Sequence, residues 1–315
     1  MTAKIDWNTL SPQEWQKKFA LLPGNNLLQA HEYALAVCPL QRQRGRWGII
    51  KIDGREAGMV QILEASLLWK TFHALVLDRG PLWFEGHGSL EDFDQFMKAL
   101  LKQFPRRVGR RYRIIPEMKQ SPALQDLMTN YGFEKYGNPY ETIILDLTQD
   151  IESLRANLKK NWRGTLSKAE RDKDLVVDWT ITTADYKVFL QNYAADKAAK
   201  DYNGPSVKLL TALARAFLPG GKMRFGRVVK DRQVLASVLL LKHGTGATYQ
   251  VGWSSDAGRR AGAQNLLLWH AIMELKKDGI KQLDLGGVND ERAKGVKKFK
   301  EAMGGRLIRF GALYT

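Results

Sequence analysis

The residues best equipped for chemistry gather towards the end of the sequence. Asp284-Leu285-Gly286-Gly287 supplies one carboxylate and two glycines, and Lys294, Lys297, Lys298 and Lys300 follow it, with Phe299 beside the last. Glycine permits a positive φ or a close backbone approach to a ligand. A fixed ammonium aimed at a developing oxyanion is among the strongest devices available to an acyl transfer. On residue types alone, the lysine row reads sooner as a solvated helix face with Phe299 turned into the core. Asp284, at the end of a predicted strand, is equally suited to capping a turn. Other chemistries are poorly supplied. Cys38, the single cysteine, lies in the apolar run Ala34-Leu35-Ala36-Val37-Cys38 and reads as a small buried hydrophobe. It excludes an intramolecular disulfide and a cysteine zinc site. The histidines, His31, His73, His87, His243 and His270, form no H-x-x-x-H pair, so neither a metal nor a cofactor is expected.

The net charge of +16 is unevenly divided. Residues 1–150 carry 19 Lys and Arg against 17 Asp and Glu, whereas residues 151–315 carry 30 against 16. A positive field concentrated in one half suits an RNA backbone, a pyrophosphate or an anionic membrane face. With 44% apolar and 26% charged residues, the composition is that of a folded globular chain. Met1 to Trp15 mixes charged and polar groups where a secretory segment needs an apolar run. The longest apolar stretches fall well short of the roughly 18–20 residues that span a bilayer. A soluble, cytoplasmic protein without an integral membrane segment is expected.

The elements that must position these residues occur in two passes. In the first, Trp47–Asp53 and Gly58–Glu64 read as strands about an Asp53-Gly54 turn, and Phe72–Asp78 as a third strand. A helix over Leu90–Phe104, a strand at Tyr112–Ile115, a helix over Ala123–Tyr131 and a strand at Tyr140–Leu147 complete it. The second pass runs Phe225–Val229, a turn at Lys230–Gln233, Val234–Leu241, Thr248–Trp253, a helix over Gly262–Lys277, Lys281–Leu285, a helix over Ala293–Met303, and Leu307–Leu313. Between the passes, Ile151–Asp172 predicts a helical segment with Leu154, Leu158, Trp162 and Leu166 as its apolar stripe. Arg155, Lys159 and Arg163 share the spacing of that stripe and predict one basic face beside it. A further helix is predicted over Ser206–Leu218, after a turn at Asn203-Gly204-Pro205.

Several of these segments together resemble the FemABX family of peptidyltransferases, the peptidoglycan interpeptide-bridge aminoacyltransferases. Leu283-Asp284-Leu285-Gly286-Gly287-Val288, followed by Gly295-Val296-Lys297-Lys298-Phe299-Lys300, is similar to the family's terminal signature. Arg163-Gly164-Thr165-Leu166-Ser167-Lys168-Ala169 is similar to its R-x-x-I-x-K-A helix, and Arg79-Gly80-Pro81 to the "RGP" after a third strand. Gly132-Phe133 also fits. The resemblance implies an α/β (α+β) fold of two tandem GNAT-like domains. The boundary expected is 1–150 and 151–315, with the closing strand allowed to return to the first domain. It further implies transfer of an amino acid from aminoacyl-tRNA to an amine, commonly on a peptidoglycan precursor, and allows peripheral contact with a lipid-linked substrate. Lys300 and Phe299 then become catalytic candidates: the ammonium for the oxyanion, the ring for stacking on the donor's terminal adenosine. Arg163, Lys168, Asp284, Gly286 and Gly287 become candidates for binding substrate.

Two features cut across this resemblance. GNAT enzymes that use acyl-CoA carry R/Q-x-x-G-x-G/A before a helix, where backbone N–H groups hold the pyrophosphate. Arg259-Arg260-Ala261-Gly262-Ala263-Gln264 stands there and keeps Arg259 and Gly262 but ends in Gln264. An acyl-CoA-dependent N-acyltransferase is therefore the alternative, and a non-catalytic RNA-binding protein a third reading from charge alone. Members that accept a UDP-linked precursor hold its phosphates with a lysine and an arginine. Those positions read Leu35 and Gly204 here, with Lys208 as a substitute. The family's Arg-x-Asp-Pro stretch reads Arg113-Ile114-Ile115-Pro116, so its carboxylate is absent.

Overall fold

Two sheets organise the chain, and they share one strand order. The computed structural model of the protein describes residues 2–67, 71–179, 182–288 and 294–315. Its elements begin with β1 (Ala3–Trp7), α1 (Pro12–Phe19), α2 (His31–Gln41), β2 (Arg44–Ile52), β3 (Arg55–Leu67) and β4 (Phe72–Gly80). Then come β5 (Leu82–Trp83), α3 (Leu90–Gln103), β6 (Arg110–Pro116), α4 (Pro122–Asn130), β7 (Lys135–Tyr136) and β8 (Glu141–Asp146). They are followed by α5 (Ile151–Asn157), α6 (Lys160–Arg171), β9 (Val176–Asp178), α7 (Thr183–Lys200), α8 (Val207–Phe217), β10 (Met223–Lys230) and β11 (Gln233–His243). The chain finishes with β12 (Gly246–Ser254), α9 (Asp256–Ala261), α10 (Ala263–Lys277), β13 (Gln282–Gly287), α11 (Lys294–Glu301), β14 (Arg306–Arg309) and β15 (Leu313–Tyr314).

The first sheet runs β1-β2-β3-β4-β6-β15-β7 and the second β14-β8-β13-β12-β11-β10-β9. In each, an antiparallel meander leads into one parallel pair, β4 with β6 and β12 with β13. An antiparallel strand then follows. The fold is two tandem GNAT-like α/β units. The compact units comprise Met1–Glu141, His243–Thr245 and Arg309–Thr315 on one side, and Thr142–Lys242 and Gly246–Ile308 on the other. β8, last in the first pass by sequence order, pairs with β13 in the second sheet. β15 takes the equivalent place beside β6 in the first. Strand order along the chain carries no information about which parallel strand an edge will meet.

Local chemistry explains the repeated hairpins. Asp53 and Gly54 take φ of 48° and 81°, and Asp231 and Arg232 take 50° and 64°. Two successive positive φ values match the twist of the flanking strands in a two-residue turn. α3 begins at Ser89 in a capping box with Asp92 and lays Phe93, Phe96, Met97 and Leu100 on the first core. α10 is buried on most of its circumference, from Leu266 to Leu275, which is why it shows no helical stripe.

The region after β8 departs from its expected form. Leu154, Leu158, Trp162 and Leu166 are all buried, as their spacing predicts. However, the helix breaks at Leu158 and Lys159, whose ψ angles are 132° and 147°. The Lys159 N–H there donates to the carbonyl of Ala302 at 3.0 Å. Arg155, Lys159 and Arg163 therefore do not form one helix face. Arg155 pairs with Glu170 at 2.5 Å and lies 5.5 Å from the centroid of the Trp269 ring, while Arg163 is exposed. The predicted strand at Leu307–Leu313 divides into β14 and β15. The predicted helix start at Ala293 lies outside the described residues. α7 and α9 were not legible, α7 because its apolar residues are spread around the helix.

Candidate functional site

The signature segments converge at the C-terminal end of the parallel pair in the second unit. β13 pairs with β12 through Thr248 and Asp284, and with β8 through Asp284 and Ile144. Its register against β8 shifts between Asp284 and Gly287, so two residues there face one on the partner, as in a β-bulge. Gly286 turns this corner at φ +75°. A Cβ at Gly286 would lie 3.3 Å from the Tyr249 carbonyl oxygen and 3.7 Å from Lys300 Nζ. The glycine permits the turn and its close approach to the Tyr249 carbonyl.

Lys300 arrives from α11. It is only 7% exposed, in contrast to the exposed Lys298 on the same helix. The solvated-face expectation therefore fails at this position. Lys300 Nζ donates to the carbonyls of Gly286 at 3.3 Å and Gly287 at 3.1 Å, and lies 5.8 Å from the centroid of the Tyr249 ring. An ammonium has three N–H bonds. With two donated, one has no oxygen partner among the described residues. Burial pushes the Lys300 pKa down to about 8, while the negative charge of Asp284 pulls it up.

Asp284 is buried and held from two sides. Thr142 Oγ1 donates to its Oδ1 at 2.5 Å, and the Gly286 N–H at 2.8 Å. The carboxylate thus fixes the glycine corner and supplies the counter-charge for Lys300. Phe299 turns the other way. Its ring stands 6.0 Å from that of buried Trp162 and packs on the second core.

The structure brings Asp284, Gly286, Gly287 and Lys300 together. Among the described contacts, none joins Arg163, Lys168, Lys208 or Arg259 to this group, and all four are exposed. Arg259 donates to the Ser254 carbonyl at 2.6 Å and pairs with Asp256. Gly262, at φ +70°, ends α9 and precedes α10, where a Cβ would meet Thr165 of α6. Its small size serves that close helix approach. Leu35 is exposed, and Gly204 leaves room for the Tyr193 hydroxyl.

Two contributors escaped the sequence reading, and a third, Gln264, entered it only as a departure from the acyl-CoA loop. Tyr249 lies beside Lys300, Thr142 fixes Asp284, and Gln264 donates from Nε2 to the Tyr249 hydroxyl at 3.3 Å. Gln264 Oε1 is buried without a partner among the described residues. No periodicity marks them, since each reaches Lys300, Asp284 or Tyr249 from a different strand or helix.

The first unit has a different group at the matching place. Arg79, buried at φ +51°, makes a bidentate pair with Glu117 at 2.8 and 2.7 Å between the rings of Phe310 and Tyr140. Asp78 registers opposite Ile115 in the parallel pair, so a carboxylate stands one strand away from the position where the family motif has one. Its Oδ2 meets Arg113 at 3.2 Å, and its Oδ1 is buried without a partner among the described residues. Burial raises the Asp78 pKa, against the pull of Arg113. Cys38 is also buried, which raises its thiol pKa and keeps it an unreactive packing group. Among the described residues, no cluster of three or more His, Cys, Asp or Glu could hold a metal. None of the helices there is long and apolar enough to cross a membrane.

Such a repeated sheet, with a buried group at the end of each parallel pair, defines a tandem acyltransferase fold of the GNAT type. Residues 156–301 match the family model of an acetyltransferase (GNAT) domain. FemX is similar in structure, with a TM-score of 0.80, 13% identity, and coverage of 98% of this chain and 96% of that one. The resemblance seen in the motifs is carried by the whole fold. A C-terminal domain assigned to a lysylphosphatidylglycerol synthetase of Agrobacterium fabrum is similar at TM-score 0.55 and 16% identity, covering 96% of this chain and 91% of that one. A tandem GNAT protein from the clavulanic acid biosynthesis pathway is similar at 0.51 and 13%, covering 99% and 98%. No curated protein sequence matches the chain.

Proposed function

We propose that the protein is an aminoacyltransferase that moves an amino acid from aminoacyl-tRNA to an amine on a peptidoglycan precursor peptide. The observation that carries this reading is Lys300, a buried ammonium held at the glycine corner of β13, with one N–H that meets no oxygen among the described residues. Attack by the acceptor's neutral amine forms a C–N bond at the ester carbonyl and places negative charge on its oxygen. Lys300 donates to that oxyanion, an interaction worth roughly 3–4 kcal/mol per donor in comparable sites. The C–O bond to the tRNA ribose then breaks. The leaving oxygen takes up one proton as the amine gives one up, and an amide remains. Asp284 keeps Lys300 charged and the glycine corner in place. The donor and acceptor classes are those the resemblance of the motif segments implies, and the fold shared with FemX agrees with that resemblance.

An acyl-CoA donor is the second reading, favoured by the GNAT domain match across 156–301. Against it, Arg259 is engaged with Asp256 and Ser254, and Gln264 lies where that loop ends in a small residue. The deciding experiment offers the protein a pool of charged tRNA or acetyl-CoA with candidate amine acceptors, and identifies products by mass spectrometry. Aminoacylated product dependent on charged tRNA supports the proposal. Product formed from acetyl-CoA alone overturns it.

A further inference from the structure

At the end of the first sheet opposite to Asp78 and Arg79, apolar side chains and arginines share one surface. Leu67 and Phe72 are cross-strand partners at the tip of β3 and β4 and are 66% and 54% exposed. The segment before β6 is fastened beside them. The His73 N–H donates to the Gly109 carbonyl at 2.8 Å, and Arg107 Nη1 to the Thr71 carbonyl at 2.9 Å. This fastening presents Val108 at 97% exposure. An aliphatic side chain so fully in water gains nothing from the fold.

Four arginines belong to the same segment: Arg106, Arg107, Arg110 and Arg111. Arg106 donates to the Gly132 carbonyl at 2.9 Å, and Arg110 to the Pro105 carbonyl at 2.6 Å and to His73. Neither they nor Arg111 pair with a carboxylate among the described residues. With Tyr112 and the exposed Tyr136, these three line a cavity of about 490 Å³. The first half of the chain is close to neutral, so this concentration is local rather than a share of the general charge.

We infer that this arginine-ringed apolar tip is a docking surface for an anionic lipid bilayer. Aliphatic and aromatic side chains enter the interface, and a ring of guanidiniums meets the lipid phosphates around them. The tyrosine beside the cavity suits the headgroup level. A nucleic acid would use the arginines, but Leu67 and Val108 would add nothing to its binding. Each basic residue close to such a surface contributes roughly fivefold to partitioning. The inference concerns attachment alone and stands apart from the transfer chemistry.

The test is co-sedimentation of the full chain with phosphatidylglycerol-phosphatidylcholine vesicles, with phosphatidylcholine vesicles, and with a structured RNA as competitor. Binding is expected to the anionic vesicles only and to weaken with salt. Arg106→Glu with Arg111→Glu should reduce it by about 25-fold or more, the product of two such contributions. Val108→Ser should weaken it at unchanged thermal stability, since that side chain packs on nothing, and so remains informative if the arginine variant folds poorly. Absence of vesicle binding, equal binding to neutral vesicles, or binding indifferent to both variants overturns the inference. So does arginine-dependent binding of RNA without binding of vesicles.

Discussion

The ends of the two parallel strand pairs hold one buried cation each, and the contrast between them is instructive. In the first unit, Arg79 is answered in full by Glu117, two parallel hydrogen bonds closing the pair between aromatic rings. In the second, Lys300 has only backbone carbonyls as direct partners among the described residues, and one of its N–H bonds meets no oxygen there. A cation satisfied by a carboxylate contributes to structure. One left partly unsatisfied in a desolvated place costs stability and is available to a substrate. The carboxylates are arranged in the opposite sense: Thr142 and the Gly286 N–H hold Asp284, whereas one oxygen of Asp78 is unclaimed among the described residues.

The largest expected effect comes from breaking the satisfied pair. Glu117→Gln leaves Arg79 buried without a counter-charge and should destabilise the protein by roughly 3–5 kcal/mol, read from denaturant unfolding. A loss below about 1 kcal/mol would mean that water or Tyr140 replaces the carboxylate without cost.

Lys300→Ala should lower kcat by about a hundredfold or more. Lys298→Ala, on the exposed side of α11, should leave kcat nearly unchanged and weaken tRNA binding slightly. Near-normal turnover in the folded Lys300 variant would remove the oxyanion role.

The Lys300 pKa of about 8 yields two pH dependences of opposite sign. Turnover needs the ammonium, so kcat should fall as pH rises through about 8. Stability should rise over the same interval. The unfolded chain keeps this proton until about 10.4, so between the two values it binds more protons than the folded state. Lys300→Met lacks this gain and should be more stable than the parent at pH 7, by of the order of 1–3 kcal/mol once the lost carbonyl bonds are deducted. Parallel unfolding curves across pH 7–10 would show that Lys300 is not desolvated in solution.

The smallest effect is expected at Asp78. Asp78→Asn keeps the shape and removes the charge beside Arg113. Because burial already raises its pKa, the loss of stability should be about 1 kcal/mol or less at pH 7, read from denaturant unfolding. A loss above about 3 kcal/mol would mean that the pair with Arg113 is desolvated and structural.

Hydrophobic spacing and turn chemistry are local properties, and the sequence by itself determined whatever depends on them. The paired hairpins, most of the strand and helix succession of both units, and the buried faces at Leu154–Leu166 and in α3 were readable because neighbours along the chain specify them. The Asp284-Leu285-Gly286-Gly287 and Phe299-Lys300 segments were identifiable for the same reason. Which of the lysines is buried, that β8 meets β13 while β15 meets β6, and that Thr142 lies 2.5 Å from Asp284 were decided only by tertiary structure. Those facts rest on strand register and on contacts between residues more than a hundred positions apart. There burial and pairing are set by the sheet as a whole, and no periodicity in the sequence records them.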